Sequence, residues 1–373
     1  HNAPRYNGVK LKAAFGGAAL PEQSRRVEVH LRDNEERARG PNLIDYEFAV
    51  RQGLIERFNP APAYYNHIRE LVNLDAICEA DPGVIHDPMY GSGRGYIKAL
   101  LGGVGCSVHE IRGEMNPGFG GIHPEPIAKY LGALTAALQA GFGRVGLATD
   151  GDADRIGAMD ANGRFVDPHR IFALVLQYLV EVREMTGTVV RTVSTTRMID
   201  RLCKRYGLPL KETPVGFNHI ADIMLSEDVL IGGEESGGIS IKGHIPEGDG
   251  ILMGLLLLEV IARRGKPLEQ LVDELEAEYG PAYYARTDLR LRRPVVKAEM
   301  VRQLAEQPPS DIAGVKVTEV ATTDGVKYIM EDDSWLLIRP SGTEPVLRVY
   351  AEATSEALRD SLLKYGESIA ESV

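Results

Sequence analysis

The sequence predicts an α/β protein of two or three domains that ends in a separate α+β domain. The number of domains follows from 373 residues divided by about 150 residues per domain. Strand-like and helical patterns alternate through the middle of the chain, which is typical of α/β layers. After Gly280-Pro281 the pattern changes to consecutive strand-like stretches, which indicates a separate C-terminal unit.

The alternation begins with a predicted helix from Glu125 to Gly141. Apolar residues recur there at spacings of four, three and four, which places them on one helical face: Ile127, Leu131, Leu134 and Leu138. Strands and helices then follow in turn. The predicted elements are a strand at Arg144–Thr149, a helix around Phe172–Leu179, a strand at Thr188–Val193, a helix at Met198–Tyr206 and a helix at Ile251–Arg264.

The two ends of the chain differ in regularity. The C-terminal part contains four predicted strands and a last helix from Ser355, the strands being Ala313–Val320, Gly325–Met330, Trp335–Arg339 and Val346–Ala353. The first sixty residues are the least regular, with a charge-dense, solvated stretch at Arg25–Arg39 and a linker at Asn59–Pro62.

Composition excludes several classes of protein. The 42 basic and 53 acidic residues give a net charge of −11 without long blocks of one sign, so general nucleic-acid binding is not expected. The three cysteines are odd in number and far apart in the chain, which argues against a disulfide framework and favours a reducing cytoplasm. The most apolar run, Ile251–Ala262, is too short to cross a bilayer about 30 Å thick. No membrane association is therefore expected.

The strongest chemical signal is a loop of three carboxylates that directly follows the apolar strand VGLAT. The loop reads DGDADR and places Asp150, Asp152 and Asp154 at alternate positions, where they can converge on a hard cation such as Mg²⁺. An EF-hand is excluded, because Arg155 and Ala161 stand where that loop needs Gly and Glu. A haloacid-dehalogenase nucleophile strand and a solvated acidic turn remain as alternatives.

Three further segments carry weaker signals. The run GGEESGG at 232–238 places Glu234 and Ser236 among glycines, which suits a sugar ring, although a Gly-rich turn without a ligand is the alternative. The run RPSGTEP at 339–345, with Arg348 after it, offers guanidinium groups and hydroxyls to a phosphate monoester, although a plain hairpin turn is the alternative. The start, HNAPRYNGVKLK, suits an anion site or a frayed terminus.

Taken in order, these four segments resemble the signature of the phosphohexomutases, the phosphoglucomutase and phosphomannomutase family. That signature has a Ser-His-Asn-Pro loop, a DGDxDR metal loop, a GE-x-S-G loop and an R-x-S-G-T-x-P loop. The resemblance implies three related α/β domains, the first only partly present, and a C-terminal α+β domain of the TBP-like type around a central cleft. The implied limits are 1–58 for the remnant of the phosphoserine domain, 59–165 for the metal-loop domain, 166–280 for the sugar-loop domain and 281–373 for the phosphate-loop domain.

The resemblance also implies an activity. A phosphohexomutase interconverts hexose 1-phosphate and hexose 6-phosphate through a phosphoserine and a hexose 1,6-bisphosphate, so glucose 1,6-bisphosphate is the implied activator. Mg²⁺ is the implied cofactor, held by Asp150, Asp152 and Asp154. Arg155 matches a basic neighbour of the reacting phosphate, and Glu234 and Ser236 match residues that hold sugar hydroxyls. The non-reacting phosphate is assigned to Arg339, Ser341, Gly342 and Thr343, with Arg348 nearby.

The chain departs from the family pattern at several positions. The serine of the family pattern stands immediately before His1, so this chain by itself is expected to be inactive. His1 and Lys10 match residues that lie beside the phosphoserine in the family. Lys10 would serve there as a proton-transfer partner or as a charge clamp. Asn218, with His219 beside it, stands where the family often has Lys, which puts a substrate contact in doubt. The GEES loop lacks the His of mannose-directed members, and His244 matches a position near the substrate, so glucose phosphate is favoured over mannose phosphate.

Two alternatives to a mutase remain from the sequence. One is a sugar-phosphate-binding protein without catalytic activity, and the other is a metal-dependent sugar phosphatase. For the mutase and for both alternatives, the expected partner is a hexose phosphate, the expected assembly a monomer or homodimer, and the expected location the cytoplasm.

Overall fold

The computed structural model describes residues 4–6, 8–291, 296–341 and 346–372. It contains two α/β units followed by a C-terminal sheet unit, which confirms the predicted mixed α/β fold with a separate C-terminal domain. Each of the three units is built on a sheet of its own.

The N-terminal segment contains two helices, α1 (Pro21–Glu36) and α2 (Tyr46–Arg51). Helix α1 falls on the stretch for which the sequence predicted only solvated, irregular chain. It has no buried residue among those whose burial is described, so no apolar stripe revealed it. Ion pairs between residues four apart, such as Arg37 with Asp33 at 2.8 Å, support it instead.

The first α/β unit is built on a five-stranded sheet of order β2-β1-β3-β4-β5. Strands β2, β1 and β3 are parallel, with β2 at the edge of the sheet, and β4 and β5 add antiparallel strands on the other side. Its elements are α3 (Ala61–Leu71), α4 (Leu74–Ala80), β1 (Val84–Asp87), α5 (Tyr96–Gly102), β2 (Val108–Glu110), α6 (Gly132–Gln139), β3 (Val145–Thr149), β4 (Ile156–Met159) and β5 (Phe165–Val166).

Helix α6 begins later than the sequence predicted. Residues 125–131 form irregular chain with one 3₁₀ turn, Ala128–Tyr130, and Ile127 is exposed rather than on a buried helical face. Pro126 explains the difference, because proline lacks a backbone N–H and disfavours helical geometry in the residue before it. The freed segment reaches the carboxylate loop, where the Gly151 N–H donates to the Pro124 carbonyl at 3.0 Å.

The second α/β unit repeats the topology of the first. Its sheet has the order β7-β6-β8-β9, with three parallel strands and one antiparallel strand added through a hairpin. Its elements are α7 (Pro168–Glu181), β6 (Thr188–Thr192), α8 (Met198–Tyr206), β7 (Leu210–Thr213), α9 (Phe217–Ser226), β8 (Val229–Gly233), β9 (Ile239–Ile241), α10 (Gly250–Arg264) and α11 (Leu268–Tyr279).

Helix α10 joins the cores of the two α/β units. Twelve of its residues are buried, as expected for a helix that is apolar all around. It packs on α7 of its own unit and on α4, β3 and β4 of the first unit. None of the helices in the described ranges combines the length and the apolar character that crossing a bilayer demands.

The C-terminal unit is an antiparallel sheet of order β10-β15-β14-β13-β12-β11. Helices α12 and α13 pack on it. Its elements are β10 (Tyr283–Arg290), α12 (Lys297–Glu306), β11 (Asp311–Ile312), β12 (Val315–Ala321), β13 (Val326–Met330), β14 (Trp335–Pro340), β15 (Val346–Ala353) and α13 (Glu356–Ser372). The predicted strand Val346–Ala353 matches β15 in both bounds.

Candidate functional site

The carboxylate loop Asp150–Arg155 connects β3 to β4, at the carboxyl end of a parallel strand. One carboxylate oxygen from each of Asp150, Asp152 and Asp154 lies within 4.8 Å of the others. Asp150 is buried, Asp154 is half-buried and Asp152 is exposed, so the cluster opens toward solvent on one side. Three converging carboxylates form a donor set that suits Mg²⁺.

The buried member of this cluster lacks full compensation from the protein. Asp150 Oδ1 accepts a hydrogen bond from the Arg155 N–H at 3.1 Å, whereas Oδ2 is buried and accepts none from the described residues. Burial raises the pKa of Asp150 to about 8, and the charges of Asp154 and Asp152 raise it further. A bound cation would remove this repulsion, so the residues fit the metal that the sequence implied.

Lys10 faces the same carboxylates from the N-terminal segment. Its Nζ forms ion pairs with Asp152 and, at 3.4 Å, with Asp154. Burial lowers the pKa of Lys10, but the contacts with Asp152 and Asp154 outweigh it and leave the pKa above its ordinary value. Burial raises the pKa of Asp152, yet the hydrogen bond from Lys10 holds it well below its ordinary value. The Lys10 ammonium is therefore charged at neutral pH in this arrangement, and its predicted role as a proton-transfer partner or a charge clamp stays a prediction.

A cavity of about 480 Å³ lies beside the carboxylate loop. It is lined by residues of the N-terminal segment and of both α/β units, among them Lys10, Ser92, Asp152 and Glu247. An ion pair between Lys12 and Glu247, which both line the cavity, holds the N-terminal segment against the second α/β unit.

The loop Glu234–Gly238 occupies the equivalent position in the second α/β unit, between β8 and β9. The backbones of Arg155 and Gly238 pair as an antiparallel bridge, which joins this loop to the carboxylate loop. A Cβ on Gly237 would lie 2.7 Å from the Ile156 carbonyl oxygen, so only glycine permits this approach. The metal-binding and sugar-binding candidates of the sequence are thus directly connected.

Glu234 and Ser236 are both half-buried. The Gly216 N–H donates to Glu234 Oε1 at 2.9 Å. Burial raises the pKa of Glu234 to about 7, although the Gly216 bond and the charge of Arg155 act in the opposite direction. Arg155 itself pairs with Glu125 at 3.6 Å and Asp154 at 3.8 Å.

Two glycines at the start of α10, Gly248 and Gly250, pack directly against the carboxylate loop. The Gly250 N–H donates to the Ala153 carbonyl at 2.9 Å. A Cβ on Gly250 would lie 2.1 Å from the Arg155 carbonyl oxygen, and one on Gly248 would lie 2.8 Å from that of Asp154. The start of α10 therefore holds the backbone of the carboxylate loop in place.

Of the three less certain substrate candidates, two follow the Gly216 N–H that binds Glu234, and the third lies beside Asp249. Asn218 and His219 are half-buried in the first turn of α9, and the side chain of Asn218 folds over Gly216. His244 is 3 % exposed, and its two ring nitrogens contact His67 at 3.0 Å and Asp249 at 3.2 Å. Both ring nitrogens of His244 thus have protein partners, and its predicted substrate contact stays a prediction.

The candidate phosphate residues lie on the C-terminal sheet. Arg339 of β14 stands directly opposite Arg348 of β15. Backbone bonding from the Ser341 N–H to the Val346 carbonyl, at 2.8 Å, closes the connection between these strands. An ion pair between Arg286 of β10 and Glu235, at 3.3 Å, links the sheet to the sugar loop. The predicted residues Gly342, Thr343 and His1 lie outside the described residues.

Sequence reasoning missed several residues that shape the site. Glu125, Glu247 and Gly250 belong to none of the four motifs, and each contacts a motif residue distant in the sequence. A possible signal was the PEP run around Glu125, which breaks the helical pattern.

Three sequence models of one family match the chain. They are described as Phosphoglucomutase/phosphomannomutase alpha/beta/alpha domain II, alpha/beta/alpha domain III and C-terminal domain, and they match residues 62–163, 167–279 and 294–364 respectively.

Individual relatives agree with these matches. A phosphoglucomutase/phosphomannomutase of Thermococcus kodakarensis is 31% identical over 100% of this chain and 77% of its own length. A phosphopentomutase of the same organism is 32% identical over 99% of this chain and 77% of its own length. A solved structure from Thermus thermophilus, provisionally described as a phosphomannomutase, is 34% identical, with a TM-score of 0.82 over 100% of this chain and 76% of that one.

Proposed function

Since the chain belongs to the phosphoglucomutase/phosphomannomutase family, we propose that it interconverts hexose 1-phosphate and hexose 6-phosphate through a phosphoserine and a hexose 1,6-bisphosphate. One observation carries the proposal: the carboxylate loop and the sugar loop are joined by the backbone bridge between Arg155 and Gly238. This bridge keeps a cation site and a sugar site at a fixed separation, as a phosphoryl transfer between them requires.

The residues of the site have distinct roles in this proposal. Asp150, Asp152 and Asp154 would hold Mg²⁺, which when bound would supply positive charge beside the transferring phosphoryl group. Lys10 and Arg155 add positive charge at the same end of the cleft. Glu234 accepts hydrogen bonds from sugar hydroxyls, and Arg339 and Arg348 bind the phosphate that does not react. The phosphoryl carrier is the serine that the family pattern places immediately before His1.

The preferred sugar is a finer part of the proposal. The GEES loop favours glucose phosphate over mannose phosphate, by its resemblance to glucose-directed members. Named relatives with similar identity act on different sugars, since a phosphopentomutase and a phosphoglucomutase/phosphomannomutase match almost equally well. Overall identity therefore does not select the substrate, and the loops that touch the sugar must do so.

Turnover measurements test both parts of the proposal. Protein that includes the serine-bearing segment is incubated with glucose 1-phosphate, Mg²⁺ and glucose 1,6-bisphosphate, and glucose 6-phosphate is followed over time. Mutase activity is expected, with a higher kcat/KM for glucose phosphate than for mannose phosphate. A clear preference for mannose phosphate would overturn the substrate assignment, and absence of any hexose 6-phosphate would overturn the mutase assignment.

A further inference from the structure

A single carboxylate connects the candidate phosphate arginine to the sugar-binding unit. Asp324 lies in the turn between β12 and β13 and its side chain is 8 % exposed. It accepts hydrogen bonds from Arg339 Nε at 2.6 Å and from Lys297 Nζ at 2.6 Å. It also accepts one from the Val215 N–H at 3.2 Å, across the boundary between the C-terminal sheet unit and the second α/β unit.

The residue after Asp324, Gly325, packs closely against the backbone of Ile338 and Arg339. Gly325 has a φ of 101°, a region that residues with a Cβ rarely adopt. A Cβ there would lie 2.5 Å from the Ile338 carbonyl oxygen and 3.0 Å from Arg339 Cα. This close backbone packing places the Asp324 carboxylate beside the Arg339 guanidinium.

The contact between Asp324 and Arg339 offsets the repulsion between two neighbouring arginines. Arg339 and Arg348 stand directly opposite each other on neighbouring strands, an arrangement that like charges disfavour. Each has a carboxylate on its outer side: Asp324 beside Arg339, and Asp288 beside Arg348 at 3.8 Å. Lys297, whose side chain is 41 % exposed, is a further cation beside Asp324. The row therefore has three cations, Arg339, Arg348 and Lys297, against the two carboxylates. Such a row suits an anion.

The same carboxylate aligns the loop that precedes Asn218. The Val215 N–H binds Asp324, and the next N–H along the chain, that of Gly216, binds Glu234. Two carboxylates from different units therefore hold two successive N–H groups of one loop. Burial raises the pKa of Asp324, but the bonds from Lys297 and Arg339 hold it below its ordinary value, so the side chain is ionised when it forms these contacts.

We infer that Asp324 is a positioning residue for phosphate recognition: it orients Arg339 toward the phosphate of the substrate and fixes the 215–218 loop relative to Arg339, while Lys297 adds a further cation to the row of Arg339 and Arg348. The inference rests on the proposed function for the identity of the phosphate as that of a hexose phosphate. Asp324 itself touches no substrate atom in this account, because both of its oxygens already accept bonds from protein groups.

Binding measurements with Asp324→Asn test the inference. Because the variant loses a charge-assisted bond to Arg339, the Kd for inorganic phosphate and for glucose 6-phosphate is expected to rise roughly tenfold. In active protein KM is expected to rise by a similar factor, with kcat changed less than about twofold. Asp324→Glu, which keeps the charge, is expected to recover most of the affinity.

A matched control separates positioning from stability. Glu276 of α11 holds Arg170 of α7 through a bond of 2.6 Å, within the second α/β unit and not on the C-terminal sheet that carries Arg339 and Arg348. Glu276→Gln is expected to lower thermal stability as Asp324→Asn does, yet to leave both Kd values unchanged. Equal losses of affinity in the two variants, or no loss in Asp324→Asn, would overturn the inference.

Two further variants locate the effect. In an Arg339→Gln background, Asp324→Asn is expected to weaken binding by less than about twofold more, because it acts through Arg339; a full tenfold loss there would contradict positioning. Lys297→Met leaves the core intact and is expected to raise the Kd about threefold through loss of one exposed charge. An unchanged Kd would show that Lys297 does not take part in phosphate binding.

Failure of this inference is distinguishable from failure of the proposed function. Phosphate binding that depends on Asp324 in protein without mutase turnover would contradict the mutase alone. Mutase turnover with an unchanged KM in Asp324→Asn would contradict the positioning role alone.

Discussion

Replacement of Asp150 by Asn should stabilise the metal-free protein. The side chain is buried, and its Oδ2 accepts no hydrogen bond from the residues that the structure describes. Asparagine has nearly the same shape, and its amide oxygen still accepts the Arg155 N–H that Asp150 Oδ1 binds at 3.1 Å. The substitution therefore removes a repelled charge and preserves the loop.

The magnitude follows from the pKa of Asp150. Burial raises it to about 8 in the folded protein, whereas an unfolded chain has about 3.9. The folded state holds this proton more tightly, so its contribution to stability is present below pH 4 and is lost as pH rises from about 4 to about 8. At pH 7 the loss amounts to as much as about 4 kcal/mol. Asp150→Asn is expected to recover up to that amount.

Thermal unfolding at pH 5.5 and pH 8, with Mg²⁺ and with a chelator, measures the effect. The original protein is expected to gain more from Mg²⁺ at pH 8, because the ion binds the deprotonated carboxylates. Asp150→Asn is expected to unfold at a higher temperature than the original protein in chelator at pH 8, and to respond little to Mg²⁺.

Asp160 provides the control for this experiment. It is equally buried, but its carboxylate accepts bonds from the backbone N–H groups of Asn162 and Arg164 at 2.9 Å and from Arg164 Nε at 3.0 Å. Asp160→Asn is expected to destabilise the protein and to leave the Mg²⁺ response intact. A metal-free Asp150→Asn protein less stable than the original at pH 8, or with an unchanged Mg²⁺ response, would refute the reasoning.

Three other substitutions probe the site. Asp152→Ala should abolish Mg²⁺-dependent conversion of glucose 1-phosphate in steady-state assays, and retained conversion would remove Asp152 from the metal site. Gly250→Ala should destabilise the protein by about 2 kcal/mol in chemical unfolding and weaken Mg²⁺ binding, because the new Cβ would lie 2.1 Å from the Arg155 carbonyl oxygen. Gly102→Ala is the control, since no atom lies within contact of a Cβ at Gly102. Equal effects of the two substitutions would contradict the account. Glu234→Gln should abolish the loss of stability that a pKa of about 7 produces between about pH 4.5 and pH 7, and should weaken sugar binding; an unchanged pH profile of unfolding would show that Glu234 is not the titrating group.

The parts of the fold that sequence predicted well depend on local signals. Helix α8 and strand β15 match their predicted bounds, because an apolar period and a clear glycine or turn signal fall at their ends. The carboxylate loop was recognisable for the same reason: its three ligands are closely spaced in the chain, directly after a buried strand.

What could not be predicted depends on contacts between distant segments. The repeated sheet topology brings the carboxylate loop and the sugar loop to equivalent hairpins, and their backbone pairing through Arg155 and Gly238 leaves no local trace. Asp324 belongs to an ordinary TTDG turn in the sequence, and its role depends on Val215, more than a hundred residues away. His244 is a further example: its motif position predicts a substrate contact, which stays a prediction, but gives no sign of its pairing with His67, a residue far away in the sequence.

The fate of the phosphoryl group tests the central claim most directly. Phosphorus NMR of glucose 1-phosphate incubated with Mg²⁺, glucose 1,6-bisphosphate and protein that includes the serine-bearing segment resolves the 1-phosphate, the 6-phosphate and inorganic phosphate as separate signals. We expect the 1-phosphate signal to be replaced by the 6-phosphate signal with total sugar phosphate conserved. Release of inorganic phosphate would indicate a phosphatase, and an unchanged spectrum would indicate a binding protein; either result would contradict the proposed mutase.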